Sequence, residues 1–249
     1  MERKVSSGEA LLRVVERGVP GGLPMLFLHG GLGAAREMEP LAAEFPEARC
    51  VLIETRGHGA SSLGQGKLTY PQLADDVAAV IAELGLERPL VIGHSDGGVI
   101  ALELAVRGEP LSGIVSIGGS VAPPPPEAAE KFFLPLTAAF WRGRFPNDVA
   151  RYEAENPAPD FERLFDLVKA MWLNGDAGNY PAGIERIAMP VLILNGDADE
   201  LVSRRETVAL AEAIPHAALA LIPYAGHMVH IEQPSLVARA IRSMLERVA

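Results

Sequence analysis

The chain has 249 residues, of which 49% are hydrophobic and 22% are charged, a composition typical of one large globular core or two small ones. Its 32 acidic residues outnumber the 22 lysines and arginines, which gives a formal net charge of -10. Because an acidic surface repels phosphate backbones and anionic lipids, this balance argues against nucleic acids and membrane surfaces as partners.

The single cysteine and the N-terminal residues indicate the compartment. Cys50 excludes an intrachain disulfide, and its position at the head of the apolar run CVLIE predicts a buried strand residue rather than a nucleophile. The first residues, MERKVSSGEALLRVVERG, lack the apolar core of a signal peptide, and no stretch reaches the ~18 apolar residues of a membrane helix. We therefore expect a cytoplasmic protein that is a monomer or a small homo-oligomer.

Short apolar runs alternate with helical patterns along the chain. In chain order, the runs that predict strands are 11–16, 25–30, 50–54, 90–94, 113–119, 191–196 and 218–222. The patterns that predict helices are 70–86, 97–107, 204–214 and 235–248. Several strands are apolar at successive positions, as strands covered on both faces must be. The alternation predicts an α/β chain with a mostly parallel central sheet flanked by helices.

The segment 122–188 interrupts this alternation, because it contains no clean strand and opens with four prolines. Ten of the 14 aromatic residues of the chain lie in it. Such a segment is typical of a helical cap above a pocket, although many of the rings would also serve a core of its own. We predict a cap over 122–188 on a core formed by 1–121 and 189–249. The candidate pocket residues are Phe133, Phe140, Trp141, Trp172 and Met228.

A serine lies where a strand passes into a helix, in the stretch VIGHSDGGVI at residues 91–100. Gly93, Ser95 and Gly97 form the pattern G-x-S-x-G, in which the glycines remove side chains that would collide across a tight turn. The turn lifts the serine hydroxyl clear of the sheet. The following helix points its free N–H groups and the positive end of its dipole at the same place. The stretch therefore predicts a nucleophile at Ser95 with an oxyanion site beside it.

Two later turns supply candidates for the acid and the base that a serine nucleophile needs. The first follows the strand VLILNG and contains Asp197 and Asp199, and the second follows the strand ALALI and contains His227 and His230. Because the carboxyl ends of parallel strands lie along one edge of a sheet, we expect these side chains to meet Ser95 there.

The sequence resembles the α/β-hydrolase family over nearly its whole length. Five stretches match family turns in order: LFLHGG (26–31) the oxyanion turn, ETRGHGAS (54–61) the D-x-R-G-x-G-x-S turn, GHSDGG (93–98) the nucleophile elbow, NGDADELV (195–202) the G-x-x-D-x-x-V turn, and AGHMVHIEQP (225–234) the G-H-x-x-x-x-E-x-P turn. Glu54 stands where the family usually has aspartate. The resemblance implies an α/β-hydrolase fold with an inserted helical cap.

The resemblance and the chemistry together assign the roles. Ser95 attacks an acyl carbonyl, His227 takes its proton and later returns it to the leaving group, and Asp199 orients His227. The backbone N–H of Asp96 and, by resemblance, that of Gly31 bind the oxyanion. Such donors are each worth roughly 3–4 kcal/mol in comparable enzymes.

Some neighbouring residues have alternative interpretations. Asp197 competes with Asp199 as the acid, since both lie on the same loop. His230 is expected to be a packing neighbour rather than a base. The Asp96 side chain could be solvated at the sheet edge, tune His227 or repel anionic substrates, and we favour the solvated interpretation.

The other histidines predict no metal chemistry. His29, His58 and His94 belong to turn motifs and are expected to form structural hydrogen bonds. No spacing of Cys, His and Asp resembles a zinc or iron site, so we expect neither a metal nor a cofactor. The expected partner is a small ester-like molecule.

Residue identities narrow the possible activities within the family. Haloalkane dehalogenases and epoxide hydrolases use an aspartate nucleophile, whereas position 95 is serine. Hydroxynitrile lyases place a lysine beside the histidine, whereas Met228 follows His227, and proline iminopeptidases usually have tryptophan after the serine. The loop HGGLGAAREM lacks the proline typical of meta-cleavage carbon–carbon hydrolases, which weakens that class without removing it.

The remaining activity is that of a serine hydrolase of the carboxylesterase type. A cap rich in Phe and Trp suits an apolar acyl or aryl group better than a sugar or a phosphate ester. We therefore expect hydrolysis of small to medium carboxylic esters through an acyl-enzyme intermediate, with lactones and thioesters as further possible substrates. Because the fold does not fix the substrate, two alternatives stay open: a carbon–carbon bond hydrolase of diketones, and a non-catalytic small-molecule receptor.

Overall fold

The computed structural model describes residues 1–248 and contains a sheet of eight strands. The strands are β1 Glu2–Ser7, β2 Ala10–Gly18, β3 Pro24–Leu28, β4 Arg49–Ile53, β5 Leu90–His94, β6 Gly113–Ile117, β7 Val191–Gly196 and β8 Ala218–Ile222. Their order across the sheet is β1-β2-β4-β3-β5-β6-β7-β8. The pairs β1–β2 and β2–β4 are antiparallel, and the other five pairs are parallel. The predicted α/β class with a mostly parallel sheet is confirmed.

Helices flank this sheet. Those of the described residues are α1 Ala35–Ala42, α2 Tyr70–Glu83, α3 Asp96–Val106, α4 Pro126–Ala128, α5 Ala138–Arg144, α6 Pro146–Glu155, α7 Phe161–Leu173, α8 Arg204–Ala213, α9 Val229–Glu232 and α10 Pro234–Val248. A π-helical turn, Ala129–Phe133, continues α4, and a 3-10 turn spans Ile184–Arg186. Within residues 1–248, no helix combines the length and the apolar character needed to cross a bilayer.

Strand β1 and helix α1, both missed by the sequence analysis, lack the usual signals. Strand β1 has the polar sequence ERKVSS, in which only Val5 is buried, because it forms an exposed edge of the sheet. Charged residues on such an edge discourage pairing with other chains. Helix α1 has eight residues and contains Pro40, which usually ends a helix.

The predicted helices are present, with local signals at their ends. The Thr69 side chain accepts a hydrogen bond from the backbone N–H of Gln72 at 3.3 Å and caps α2. This helix ends at Glu83, three residues earlier than predicted, just before Gly85 with its φ of 57°. Ser203 and Glu206 form a capping box at the start of α8.

Strand β3 shows how the sheet is buried on both faces. Leu26 and Leu28 pack in one apolar layer with α2 and α3, whereas Met25 and Phe27 pack in the opposite layer with α1 and α10. Successive side chains of a strand point to opposite faces, so both layers need apolar residues from one strand. This explains the uninterrupted apolar runs in the sequence.

Between β6 and β7 the described residues form helices and turns without a strand, and we call residues 118–190 the helical insertion. Phe161, Phe165 and Val168 of α7 are buried, and they belong to the same apolar layer as α2 and α3. Part of the aromatic content of this segment therefore serves packing. Six other rings of the insertion line a cavity above the sheet edge: Phe132, Phe133, Trp141, Phe145, Trp172 and Tyr180.

A buried ion pair fixes the loop after β4 to helix α2. Arg56 Nε and Nη2 donate to the two carboxylate oxygens of Asp76 at 2.8 and 2.6 Å, and both side chains are more than nine-tenths buried. The paired geometry compensates both groups for the water that they lose on folding. Removing one partner leaves the other charge buried and uncompensated.

Replacement of Asp76 by alanine should therefore lower the free energy of unfolding by about 3–5 kcal/mol. Asp75→Ala is the matched control, because its side chain is 69% exposed and its ion pair with Arg107 is expected to contribute less than about 1 kcal/mol. Urea unfolding followed by circular dichroism measures both values. Equal losses for the two variants would contradict this assignment.

Candidate active site

Ser95 occupies a strained turn between β5 and α3. Its φ and ψ are 50° and -114°, in the positive-φ region that residues other than glycine rarely adopt. Close packing holds the turn in place, since a Cβ on Gly93 would collide with the carbonyl of Gly97, and a Cβ on Gly97 would collide with the backbone of Leu28. The Ser95 N–H donates to the carbonyl oxygen of Ile117 at 2.7 Å. The turn thus presents the serine side chain at the carboxyl end of the sheet.

Two backbone N–H groups beside Ser95 are free to bind an anion. Neither the Gly31 N–H nor the Asp96 N–H donates to another group among the described residues. Both residues line the same cavity as Ser95, and Asp96 is the first residue of the eleven-residue helix α3. The positive end of that helix dipole adds to the attraction for negative charge.

His227 and Asp199 come from the loops after β8 and β7 and meet directly. Nδ1 of His227 lies 2.7 Å from Oδ2 of Asp199. The other oxygen of Asp199 accepts from the N–H groups of Leu201 and Val202 at 2.7 and 3.1 Å. Asp197 makes a different contact, accepting from the N–H of Tyr224. The structure therefore places Asp199, rather than Asp197, beside His227.

The surroundings of Asp199 favour its charged form. Burial raises the pKa of this carboxyl, but the hydrogen bonds from His227 and from the two backbone N–H groups outweigh burial, so that the pKa is lowered. A neutral His227 that donates its Nδ1 proton to this carboxylate keeps Nε2 unprotonated and able to accept a proton. Ser95 and His227 line the same cavity, and within residues 1–248 the Ser95 hydroxyl has no hydrogen-bond partner.

Glu37, which the sequence analysis missed, connects three of these turns. Its Oε1 accepts from the Gly30 N–H at 3.0 Å and lies 2.6 Å from Nδ1 of His94. Nε2 of His94 donates to the carbonyl oxygen of His227 at 3.0 Å. His230 is fully buried and stacks on His94 with ring centroids 4.1 Å apart, as expected of a packing neighbour. Glu37 belongs to α1 and to no recognisable motif, so the sequence contained no signal for it.

Glu37, His94 and His230 also form a group of potential metal ligands among the described side chains. Each offers one ligand atom, and these atoms lie within 4.8 Å of one another. Two ligands of one tetrahedral zinc ion stand about 3.3 Å apart, given zinc–ligand distances of about 2.0–2.1 Å. The separation of 2.6 Å between Glu37 and His94 is instead that of a hydrogen bond. Nε2 of His230 lies 3.3 Å from Oε1 of Glu37, so it is the Glu37–His94 contact that fits a shared proton better than a metal ion.

His29 and His58, which we expected to form structural hydrogen bonds, accept them from backbone N–H groups. Nε2 of His29 accepts from the N–H of Thr55, and Nε2 of His58 accepts from the N–H of Leu32, both at 3.1 Å. Cys50 is buried in β4, and burial raises the pKa of its thiol to about 11. A thiol in this state is a poor nucleophile near neutral pH.

The cavity has a volume of about 430 Å³, in the range of small-molecule sites. Of the candidate pocket residues, Phe133, Trp141, Trp172 and Met228 line it. Phe140 was wrong, since it is 58% exposed and lies outside the cavity. It precedes Trp141 on α5, and adjacent helical residues cannot face the same direction. The lining also includes apolar residues that the sequence analysis did not select: Leu32, Tyr70, Val99, Phe132, Leu136, Phe145 and Tyr180.

The solvated interpretation of Asp96 was also wrong. Asp96 is only 6% exposed, and its Oδ1 accepts from the hydroxyl of Tyr70 at 2.9 Å. Nε1 of Trp172 donates to Oδ1 and Oδ2 at 2.9 and 3.0 Å. Burial raises the pKa of Asp96, and the two hydrogen-bond donors oppose this effect without cancelling it. The sequence could not show that Tyr70 and Trp172 converge on this position, because they are far apart in the chain.

The chain is similar to hydrolases and related enzymes over nearly its full length. It is 26% identical to the 2-(acetamidomethylene)succinate hydrolase of Mesorhizobium japonicum, with 99% of this chain and 95% of that protein covered. It is 25% identical to the 2-succinyl-6-hydroxy-2,4-cyclohexadiene-1-carboxylate synthase of Serratia proteamaculans, with 94% of this chain and 97% of that protein covered. A thermophilic esterase from Thermogutta terrifontis has a solved structure with a TM-score of 0.78 and 26% identity, covering 100% of this chain and 99% of that chain.

The sequence profile of the alpha/beta hydrolase family matches residues 25–240. This range begins at strand β3 and extends into helix α10, and it contains Ser95, Asp199 and His227. Sequence, sheet order and solved relatives agree, and the chain belongs to the alpha/beta hydrolase family.

Proposed function

We propose that the protein is a serine hydrolase that cleaves small to medium carboxylic esters through an acyl-enzyme intermediate. The observation that carries this proposal is the contact of 2.7 Å between His227 Nδ1 and Asp199 Oδ2. His227 lines the same cavity as Ser95, whose backbone is strained. Family membership and the similarity to a solved esterase support the same chemistry.

The proposed reaction transfers the acyl group first to Ser95 and then to water. Ser95 Oγ attacks the ester carbonyl carbon while its proton passes to Nε2 of His227. Asp199 stabilises the resulting imidazolium, and the N–H groups of Gly31 and Asp96 bind the oxyanion of the tetrahedral intermediate. Collapse of this intermediate breaks the ester bond, and the leaving alkoxide takes the proton from His227. Water then repeats these steps on the acyl-enzyme and releases the carboxylic acid.

The helical insertion supplies the proposed substrate pocket. We assign the cap to 122–188 and the core to 1–121 and 189–249, because the insertion provides Phe133, Trp141 and Trp172 to the cavity wall. Aromatic and aliphatic walls favour an apolar acyl or aryl group. Carbon–carbon cleavage and ligand binding without turnover are the alternatives, and the turnover measurements below separate binding without turnover from esterase activity.

Ser95→Ala should reduce hydrolysis of p-nitrophenyl butyrate about 10⁴-fold or more, because no other group replaces the nucleophile. A fluorophosphonate probe should label Ser95 in the wild-type protein and leave this variant unlabelled. Ser120→Ala is the matched control, since Ser120 also lines the cavity but its hydroxyl donates to the carbonyl oxygen of Ala122. Undiminished turnover in Ser95→Ala would refute the proposed nucleophile.

Asp199→Asn should lower kcat about 10³–10⁴-fold, since an amide neither stabilises the imidazolium nor fixes its tautomer. Asp197→Asn, on the same loop, should change kcat less than about threefold, because the Asp197 carboxylate accepts from the backbone N–H of Tyr224 and does not contact His227 among the described residues. A comparable loss in both variants would contradict the choice of Asp199.

The same pair predicts a pH dependence of stability. Because the pKa of Asp199 is lowered in the folded protein, its ionised form stabilises the fold above pH ~4, and this contribution disappears as the pH falls through the folded-state pKa. The difference between the unfolding free energies of the wild type and Asp199→Asn should therefore narrow as the pH falls below ~4. A difference that widens toward acid would have the wrong sign.

The pocket assignment predicts a preference for longer acyl chains. From p-nitrophenyl acetate to the butyrate, kcat/KM should rise about fourfold per methylene group, in line with about 0.8 kcal/mol for each one buried. Phe133→Ala should reduce this gain, whereas Phe140→Ala, an exposed neighbour, should leave it unchanged. A preference for acetate over every longer chain would contradict the apolar pocket.

A further inference from the structure

A buried carboxylate beside the nucleophile has no part in the proposed acyl transfer. The Asp96 side chain accepts hydrogen bonds from the Tyr70 hydroxyl and the Trp172 indole, both of them uncharged donors. Among the described residues, no lysine or arginine forms an ion pair with it. Both oxygens of Asp96 accept hydrogen bonds and neither faces an acceptor for a carboxyl proton, which is the geometry of the ionised form. In that form the cavity wall holds a negative charge without a lysine or arginine partner.

The rest of the wall increases this negative charge. Glu206 adds a carboxylate to this wall, next to Glu37, which shares a proton with His94, and Asp148, which is paired with Arg36. Within residues 1–248, Arg36 supplies the one guanidinium on the wall, and it is already paired with Asp148 at 3.2 Å. An anionic group that enters the cavity therefore meets more negative than positive charge.

Asp96 also lies very close to the reacting atoms. A Cβ placed on Gly31 would stand 2.6 Å from Oδ2 of Asp96 and 2.5 Å from the Trp172 ring, so the carboxylate packs directly against the proposed oxyanion turn. Ser95, Gly31 and Asp96 line the same cavity, so an acyl group bound to Ser95 shares that cavity with this charge. Two like charges about 6 Å apart, at an effective dielectric constant of ~20, repel strongly enough to change a rate about hundredfold.

We propose that Asp96 is a specificity-determining residue that restricts the site to esters whose acyl group has no negative charge. The inference rests on the proposed esterase function and deepens it, since it defines a substrate class by charge. Neutral apolar acyl groups fit the aromatic wall, whereas acyl groups that end in a carboxylate are rejected although they have the same length.

Two esters of matched length test this directly: p-nitrophenyl pentanoate and the p-nitrophenyl monoester of glutaric acid. In the wild type, kcat/KM for the neutral ester should exceed that for the anionic ester by about 100-fold. Asp96→Asn, which keeps the shape and an acceptor oxygen for Tyr70 and Trp172, should reduce this ratio at least tenfold. Asp166→Asn, an exposed aspartate on the same helix as Trp172, is the control for a general change of charge.

The ratio of the two kcat/KM values decides whether Asp96 sets the charge selectivity. A wild-type ratio near one, or the same ratio in wild type and Asp96→Asn, would overturn the proposal, as would an equal loss in Asp166→Asn. If circular dichroism shows that Asp96→Asn does not fold, Asp96→Ser repeats the test with a smaller uncharged side chain. Selectivity that persists in 1 M NaCl supports a charge inside the cavity, since that salt reduces the Debye length to about 3 Å.

A binding measurement separates this proposal from the esterase proposal. Calorimetry with Ser95→Ala compares 4-phenylbutanamide with 4-phenylbutanoate, and the amide should bind at least tenfold more tightly. Adding Asp96→Asn to that variant should abolish the preference. If neither ester is hydrolysed but this preference and its loss are observed, the esterase function fails and the role of Asp96 stands. An equal affinity for both ligands refutes the role of Asp96.

Discussion

The backbone of Ser95 is held in a conformation that costs about 1–3 kcal/mol, and the organisation of the site depends on the packing that maintains it. The two glycines that flank the serine allow the end of β5, the start of α3 and the end of β3 to approach more closely than any side chain would permit. That approach fixes the serine next to the N–H groups at the start of α3. Because the neighbouring parallel strands end at the same edge, the loops with Asp199 and His227 reach the same cavity.

Two buried aspartates in the site show how surroundings give one side chain two different properties. Asp199 accepts hydrogen bonds from a histidine and two backbone N–H groups, and its pKa is lowered despite burial. Asp96 accepts from a phenol and an indole, which do not outweigh burial, and its pKa is raised. Neither result follows from the residue type. Each follows from the charge and the number of the donors that the fold brings to the carboxylate.

The sequence predicted those features that depend on local pattern. The strands with continuous apolar runs, four of the helices and the positions of Ser95, Asp199 and His227 at strand ends all follow from motifs of a few residues. The features that it did not predict depend on contacts between distant segments. Glu37 lies in a short helix with an internal proline, and the partners of Asp96 are 26 and 76 residues away. Phe140 and Trp141 are adjacent and equally aromatic, and only the rotation of their helix distinguishes them.

The hydrogen bond from Trp172 to Asp96 has a consequence for access to the cavity. The indole belongs to the helical insertion and the carboxylate to the first turn of α3, so this contact spans the boundary between insertion and sheet. Lifting the insertion would separate the two groups and let water reach a charge that is otherwise sheltered. Lifting of the insertion would therefore be coupled to hydration of the Asp96 carboxylate. The free energy of this movement would depend on the charge of Asp96 as well as on the apolar contacts of the insertion. The emission of Trp172, one of only two tryptophans in the chain, would report that transition from within the molecule.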